Sequence, residues 1–263
     1  MNGLRAGLAV VGDSAPDEPE PSLALLRADA EAIREHTGVP ASAFAVRSRN
    51  AGELSAALRS LPSDVEAVYL TGTDPAKARA AQRDIAAGGG VPVITEEETS
   101  SIALAAAVLI RSRRLRVAPF AAKVVVAGSD TMPLLVPLLV ASGVGEVVAW
   151  RRADAAGYPL AEVARNATVV VDAEGGLGGS LPVAPDRSAG LLPLAGLFAA
   201  ARRGLVARPV NDPLYQLDVH RACAHALTTL TPVDRLLPEL SDPDLAARVS
   251  DAIEEALRPP RKR

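Results

Sequence analysis

Four small or polar residues follow the most continuous strand-like run of the chain. Residues 123–127 read KVVVA, and Gly128, Ser129, Asp130 and Thr131 come next, before a predicted helix over about 132–142. A buried strand that ends in a glycine turn before a helix is the arrangement in which backbone amides bind the pyrophosphate of a dinucleotide. These four residues are therefore candidate contacts for NAD or NADP.

The same turn departs from the usual G-x-G-x-x-G pattern. Asp130 and Met132 stand among positions that are normally small, and an aspartate facing a pyrophosphate is repulsive. The next strand, residues 146–150, runs into Arg151 and Arg152. Two arginines there could hold a 2′-phosphate, which would favour NADP, or could form an ordinary solvated strand end. We expect weak binding of either cofactor.

Three consecutive acids, Glu96, Glu97 and Glu98, open a segment that ends in arginines. Carboxylates can bind a divalent cation, but acids at the start of a helix also interact favourably with the positive end of its dipole. The second role is the ordinary one for such acids, so we expect no divalent metal site.

A single cysteine, Cys223, lies between His220 and His225. A cysteine beside a histidine can be a nucleophile. The two histidines are five residues apart, however, whereas the histidine pair of a helical zinc site is four apart. A buried cysteine without a catalytic role is the alternative, and the sequence identifies no catalytic residue.

Composition bounds the function classes. The chain has 263 residues, of which 49% are hydrophobic, and a net charge of −3. This charge provides no field that would attract nucleic acid, and no apolar run is long enough to cross a bilayer. The amino terminus resembles a first strand more than a leader peptide, so a cytoplasmic location is expected. Partners are then small molecules or proteins.

Strand-like and helical segments alternate along the first two thirds of the chain. Apolar runs at 7–12, 65–70, 91–94 and 123–127 are separated by amphipathic segments, and the last third is helical apart from a loop predicted over 173–190. Such alternation predicts an α/β fold with doubly wound, mostly parallel sheets. We assign a smaller α/β domain to residues 1–93 and a Rossmann-like domain with carboxyl-terminal helices to residues 94–263.

The order of these segments resembles the malic enzymes. Residues 68–110 are similar in layout to the stretch of that family from its INLED motif to its PVFHDDQHGTAI motif and the long helix that follows. Residues 123–150 resemble the family's KVVVNGAGAAG strand and turn, and residues 191–227 resemble its NNVLAFPGIFRGALDVRA region. The resemblance implies an NAD(P)-binding domain behind a truncated amino-terminal domain.

The residues that the resemblance maps onto the family's chemistry differ from it. The family's metal ligands map onto Thr71, Gly72 and Glu97, of which only Glu97 has a carboxylate. Its substrate-contacting asparagines map onto Ala189 and Gly190. The segment matching its EGKA motif has no lysine, and its catalytic tyrosine lies upstream of residue 1.

Two functions remain open. The first is a malic-enzyme-like pseudoenzyme that does not decarboxylate malate and acts as a binding, scaffold or regulatory protein. The second is an NAD(P)-dependent oxidoreductase that acts on a small 2-hydroxy acid through a remodelled site. In either case we expect a homodimer, because the shortened first domain leaves helix 22–36 with less of its own chain to pack against.

Overall fold

The computed structural model describes residues 7–174, 182–183, 187–205 and 213–258. Helices and strands alternate in its first half, which contains β1 (Leu8–Ser14), α1 (Leu23–Thr37), β2 (Ala41–Arg47), α2 (Ala51–Arg59), β3 (Ala67–Thr71), α3 (Pro75–Ala87), β4 (Val93–Thr95) and α4 (Glu96–Arg114). The second half contains β5 (Lys123–Ala127), α5 (Leu135–Ala141), β6 (Glu146–Trp150), α6 (Leu160–Val163), β7 (Val169–Asp172), β8 (Pro182–Val183), α7 (Arg187–Gly190), α8 (Leu192–Arg202), α9 (Pro213–Leu230) and α10 (Leu245–Ala256).

The strands form two parallel four-stranded sheets with the same topology. Their orders are β2-β1-β3-β4 and β6-β5-β7-β8. In each sheet the chain moves outward from the first strand to the second and then returns to the other side of the first. A topological switch point therefore lies between β1 and β3 and another between β5 and β7, the positions where open α/β proteins bind ligands. The predicted α/β class with parallel sheets is confirmed.

The chain divides into two compact units. The first contains the described parts of Met1–Glu96, Leu194–Tyr215 and Leu240–Arg263, and the second contains those of Glu97–Pro193 and Gln216–Glu239. The sequence pattern assigns all of residues 94–263 to the second domain. The structure differs because part of α8 and the whole of α10 belong to the first unit.

Close packing of α8 and α10 explains their place in the first unit. A Cβ atom at Gly196 in α8 would lie 2.3 Å from the Val249 side chain of α10, so only glycine allows this approach. Arg203 adds ion pairs to Asp251 and Glu254 at 3.0 and 3.3 Å. A pattern of apolar spacing in the sequence indicates that a helix is buried, but not which sheet it covers.

Helix α1 begins where the sequence predicts. The hydroxyl of Ser22 accepts a hydrogen bond from the backbone amide three residues later, at 3.4 Å, which makes it the N-cap. Leu26, Ala30 and Ile33 are buried, as their spacing indicates, whereas Leu23 is 36% exposed. The buried face of α1 therefore begins at Leu26.

Two segments of the second unit differ from the prediction. Helix α5 starts at Leu135 rather than near Met132, and the preceding residues form turns that include Pro133. The predicted loop at 173–190 contains β8, whose Val183 pairs with Val171 of β7. Two residues are too few to show an alternation of apolar and polar side chains, so the sequence alone cannot predict β8; its pairing with β7 defines it.

The long helix α4 is largely internal. Every residue from Ile102 to Ile110 is buried, and the last turn carries Arg111, Arg113 and Arg114. Among the described residues, no helix is both long enough and apolar enough to span a membrane. The apolar side chains of α4 are therefore part of the protein core.

Candidate functional site

The glycine turn after β5 is folded back onto the end of β6. The backbone amides of Gly128 and Ser129 both donate to the carbonyl oxygen of Trp150, at 2.9 and 3.2 Å. Gly128 has a φ of +76°, a left-handed conformation that favours glycine. Two of the amides that could face a phosphate are thus used inside the protein.

The next residues extend the turn and delay the helix. Thr131 donates to the carbonyl oxygen of Gly128 from its backbone amide at 3.0 Å and from its hydroxyl at 2.8 Å. Asp130 is exposed. Helix α5 has only seven residues and no side-chain cap from the residue before it. The structure brings Gly128, Ser129, Asp130 and Thr131 into one turn, while their role as cofactor contacts stays a prediction.

A buried carboxylate of α4 reaches the start of α5. Oε1 of Glu97 accepts a hydrogen bond from the backbone amide of Leu134 at 3.0 Å, and Glu97 is 8% exposed. A helix start in a dinucleotide domain normally presents such amides to the phosphates. Glu97 therefore places a buried carboxylate against the backbone amide that precedes α5.

Glu174 covers the same turn from the other side. A Cβ atom at Gly128 would lie 2.5 Å from Cγ of Glu174, so the missing side chain of this glycine leaves space for the glutamate. Glu174 follows β7 and Gly128 follows β5, which places their contact at the switch point of the second sheet. Asp172, at the end of β7, is 2% exposed.

The two candidate arginines are engaged by nearby acids. Arg151 donates to both carboxylate oxygens of Asp154, at 3.1 and 3.3 Å, and Arg152 donates from Nε to Glu174 at 3.0 Å. The hydrogen bond and charge of Asp154 raise the pKa of the Arg151 guanidinium, and the charge of Asp130 adds to this. Glu174 raises the pKa of Arg152 in the same way. The acids Asp154 and Glu174 were not predicted; the spacing of Arg151 and Asp154, three residues apart, was the available signal.

The positions that the resemblance maps onto metal ligands form hydrogen bonds instead. Thr71 donates from its hydroxyl, and Gly72 from its backbone amide, to Oε2 of Glu96, each at 2.8 Å. Within the described ranges, no three His, Cys, Asp or Glu side chains come together in a group that could hold a metal ion. Glu97 as a metal ligand thus has no support from geometry.

The cysteine and histidines of α9 do not form a nucleophilic pair. Cys223 is buried, and burial, with a smaller contribution from the charge of Glu98, raises the pKa of its thiol. His220 is also buried, with Nε2 3.4 Å from Oε1 of Glu98, whereas His225 is exposed. Partial desolvation of the His225 ring lowers its pKa, and the charge of Arg221 lowers it further. A protonated, buried thiol is unreactive, which agrees with the structural role for Cys223.

A buried ion pair in the first unit was not predicted. Nζ of Lys77 lies 2.7 Å from Oδ2 of Asp13, and the two side chains are 17% and 2% exposed. Ser48 donates from its hydroxyl to Oδ1 of the same aspartate at 2.7 Å, and Lys77 also donates to the carbonyl oxygen of Ser48 at 2.6 Å. An acid at the end of an apolar strand and one of only three lysines in the chain were the signals available.

Comparison with known proteins identifies the fold. No family model matches the chain, and no curated protein matches it by sequence. Among solved structures it is similar to the malic enzyme of Entamoeba histolytica (TM-score 0.71, 12% identity, 97% of this chain and 70% of that one) and to the malic enzyme of Pyrococcus horikoshii (0.68, 14%, 96% and 77%). It is also similar to the NAD-dependent malic enzyme of Thermotoga maritima (0.65, 13%, 95% and 85%). The malic-enzyme-like fold is therefore confirmed.

Proposed function

We propose that this malic-enzyme-like chain does not decarboxylate malate and acts as a binding, scaffold or regulatory protein. The observation that supports this proposal is that two of the protein's own carboxylates, those of Glu97 and Glu174, lie against the segment 128–134, where the sequence predicts cofactor contacts. Glu97 accepts the Leu134 amide, and Glu174 packs over Gly128. A pyrophosphate at this turn would have to displace both groups or lie beside them.

Electrostatics make that displacement costly. Two like charges about 4 Å apart repel by roughly 4 kcal/mol at an effective dielectric constant of 20, which corresponds to about a thousandfold in affinity. The start of a helix typically contributes only about 0.3–1 kcal/mol to an anion. A carboxylate about 4 Å from a bound phosphate therefore opposes binding by more than the start of a helix contributes to it.

The chemistry of malate decarboxylation leads to the same proposal. The reaction needs a base for the hydroxyl proton, a cation to polarise the oxygen and an acid to protonate the enolate. Thr71 and Gly72, where the family resemblance implies metal ligands, supply no carboxylate and are bonded to Glu96. Glu97, the third mapped position, is bonded to a backbone amide.

Turnover assays test the proposal directly. The purified chain is incubated with malate, NAD or NADP, and Mg²⁺ or Mn²⁺, and reduced cofactor is followed by absorbance. We expect no rate above that of buffer. A metal-dependent rate that disappears in Glu97→Ala, but persists in a Glu96→Ala control, would overturn the proposal.

A second function is favoured by one observation. The side chains of Arg151 and Arg152 are 59% and 74% exposed at the end of β6, where a 2′-phosphate could meet them. An NAD(P)-dependent oxidoreductase acting on a small 2-hydroxy acid would use them to select NADP. Under this alternative, Arg151→Ala weakens NADP binding selectively, and a set of 2-hydroxy acids with NADP contains at least one substrate. Absence of turnover together with equal, weak binding of both cofactors favours the first proposal.

A further inference from the structure

Strand β2 lies at one edge of the first sheet, and in the described part of the chain it pairs only with β1. Two hydrogen bonds define its inner side. The amide of Leu8 donates to the carbonyl oxygen of Pro40 at 2.8 Å, and the amide of Ser48 donates to that of Ser14 at 3.0 Å. Because alternate residues of a strand turn their backbone groups to the same side, the even-numbered residues of β2 face β1 and the odd-numbered residues face outward.

Most of the outward backbone groups of β2 have no partner in the protein. The carbonyl oxygen of Ala41 accepts a hydrogen bond from Nη1 of Arg34 at 2.7 Å. At Ala43, Ala45 and Arg47, neither the amide nor the carbonyl oxygen has a hydrogen-bond partner among the described residues. Such a row of alternating donors and acceptors is complementary to the backbone of another extended segment.

Two other sheet edges show how such a row can be shortened or protected. Strand β4 has three residues, and Gln82 donates from Nε2 to the outward carbonyl oxygen of Val93 at 2.7 Å. Strand β6 begins with Glu146 and is followed by Arg151, so a charge stands at each end of its five residues. Strand β2 has seven residues, with no proline and no charge before Arg47. It therefore lacks the usual features that prevent strand addition.

The side chains of β2 favour an apolar neighbour. Phe44 and Val46 are only partly buried and pack against the apolar core cluster of the first unit. On the other face of the strand, Ala43 and Ala45 are small, uncharged and half-buried. Side chains of an added strand would cover the remaining apolar surface on both faces.

An arginine stands at each end of this edge. Arg34 is exposed and reaches the start of β2 through its hydrogen bond to Ala41, and Arg47 is the exposed last residue of the strand. Neither arginine forms an ion pair with any residue that the structure describes. Guanidinium groups bind carboxylates through charge-assisted hydrogen bonds. The edge therefore complements a strand with an acidic residue at each end.

We propose that β2 binds an extended segment of another protein, which adds to the first sheet as a fifth strand. The backbone of this segment pairs with Ala43, Ala45 and Arg47. Its central residues are apolar, and its terminal carboxylates meet Arg34 and Arg47. The binding site lies wholly within the first unit and uses neither a cofactor nor malate chemistry, so its failure would leave the proposed function unaffected.

A synthetic peptide and a pair of proline variants test the backbone contact. The probe is the peptide EVTVTVE, amidated and labelled with fluorescein, which has a glutamate at each end and so fits the edge in either direction. Ala45→Pro removes one outward amide but keeps the hydrogen bonds to β1, because proline is tolerated where the N–H faces solvent. The amide of Glu146 donates to Ala122, so Ala149 faces outward from β6. Ala149→Pro is therefore the matched control.

A charge exchange tests the ends of the edge independently. Arg34→Glu/Arg47→Glu makes both ends acidic, and the peptide KVTVTVK carries the matching charges. Arg165→Glu/Arg248→Glu, which reverses two exposed arginines elsewhere, is the control for net charge.

Fluorescence anisotropy measures peptide binding. We expect saturable binding of EVTVTVE to the unmodified chain and to both controls, and binding weaker by about tenfold or more for Ala45→Pro. Arg34→Glu/Arg47→Glu should instead prefer KVTVTVK. Hydrogen exchange measured by NMR should slow at the amides of Ala43 and Ala45 when EVTVTVE is added, since these amides become hydrogen-bonded.

Four results would overturn the proposal. They are no binding of EVTVTVE to the unmodified chain, equal binding to a folded Ala45→Pro, no change of peptide preference on charge exchange, and unchanged exchange at the outward amides. Self-association that Ala45→Pro abolishes in sedimentation would assign the edge to a second copy of the chain and would also overturn it. Circular dichroism reports whether each variant is folded. If Ala45→Pro does not fold, the charge exchange and the amide exchange decide the outcome.

Discussion

The two sheets share one topology but fill their switch points differently. In the first sheet, Asp13 at the end of β1 is buried against Lys77 and Ser48, so each charge has a partner of the opposite kind. In the second sheet, Glu174 covers Gly128 at the end of β5, and its cation is the exposed Arg152. The same strand order therefore creates an equivalent switch point in each sheet, and the side chains there determine what it can bind.

The difference extends to the acids at the start of α4. Glu96 accepts hydrogen bonds from Thr71 and Gly72 in the first unit, and Glu97 accepts one from Leu134 in the second. Both carboxylates satisfy backbone or hydroxyl donors of the protein itself. An acid that is already bonded in this way has less freedom to coordinate a metal or to accommodate a phosphate.

Removing the cation of the first switch point should have the largest effect. In Lys77→Met, Asp13 stays buried without its partner, and breaking such a pair costs about 3–5 kcal/mol in the free energy of unfolding. Lys123→Met is the control, because its pair with Glu146 has side chains 31% and 57% exposed and should contribute under about 1 kcal/mol. Urea unfolding followed by circular dichroism measures both. Equal losses for the two variants would show that Asp13 is not isolated from water.

Filling the glycine of the second switch point should have an intermediate effect. Gly128→Ala combines a left-handed backbone with a contact to Glu174, and the backbone alone costs roughly 1–2 kcal/mol for a residue with a side chain. Gly143→Ala is the control, because its φ is +89° and a Cβ there meets nothing within 4 Å. Thermal unfolding should show the greater loss for Gly128→Ala, and the excess should disappear when Glu174→Ala is added. An excess that persists without Glu174 would contradict the packing described for the turn.

Removing the cation of the second switch point should have the smallest effect. The side chain of Arg152 is 74% exposed, so its pair with Glu174 is screened by water. We expect the urea midpoint of Arg152→Met to match that of the unmodified chain within error. A midpoint as low as that of Lys77→Met would remove the contrast between the two switch points.

The sequence predicts the elements best where the residues are apolar on all sides. Strand β5 has the predicted limits, because its apolar run is buried from Val124 to Ala127. Strand β6 also has the predicted limits, although it lies at the edge of its sheet and only Trp150 is buried. The start of α5 was placed too early, since Pro133 and the turn at Thr131 interrupt the helix. Strand β8 was missed because it exists only through its pairing with β7.

The sequence predicts only those features of the candidate site that are formed by residues close together in the chain. The turn at 128–131 and its acidic residue can be read from neighbouring positions, and Asp130 is exposed as a solvated acid should be. The contact of Glu97 with Leu134 joins residues 37 positions apart, and the contact of Arg152 with Glu174 joins residues 22 apart. Contacts of this range depend on how helices pack against the sheet, which no spacing rule in the sequence encodes.

A calorimetric titration of the unmodified chain with NAD tests the central claim most directly. If the carboxylates of Glu97 and Glu174 oppose an anion at residues 128–134, NAD and NADP should bind only in the millimolar range or not at all. Glu97→Gln, which keeps a hydrogen-bond acceptor but removes the charge, should strengthen binding by up to about a thousandfold. Asp130→Gly removes an exposed charge and should strengthen binding by less. Glu96→Gln is the matched control and should leave binding unchanged. Micromolar binding of NAD to the unmodified chain would contradict the account and favour the oxidoreductase.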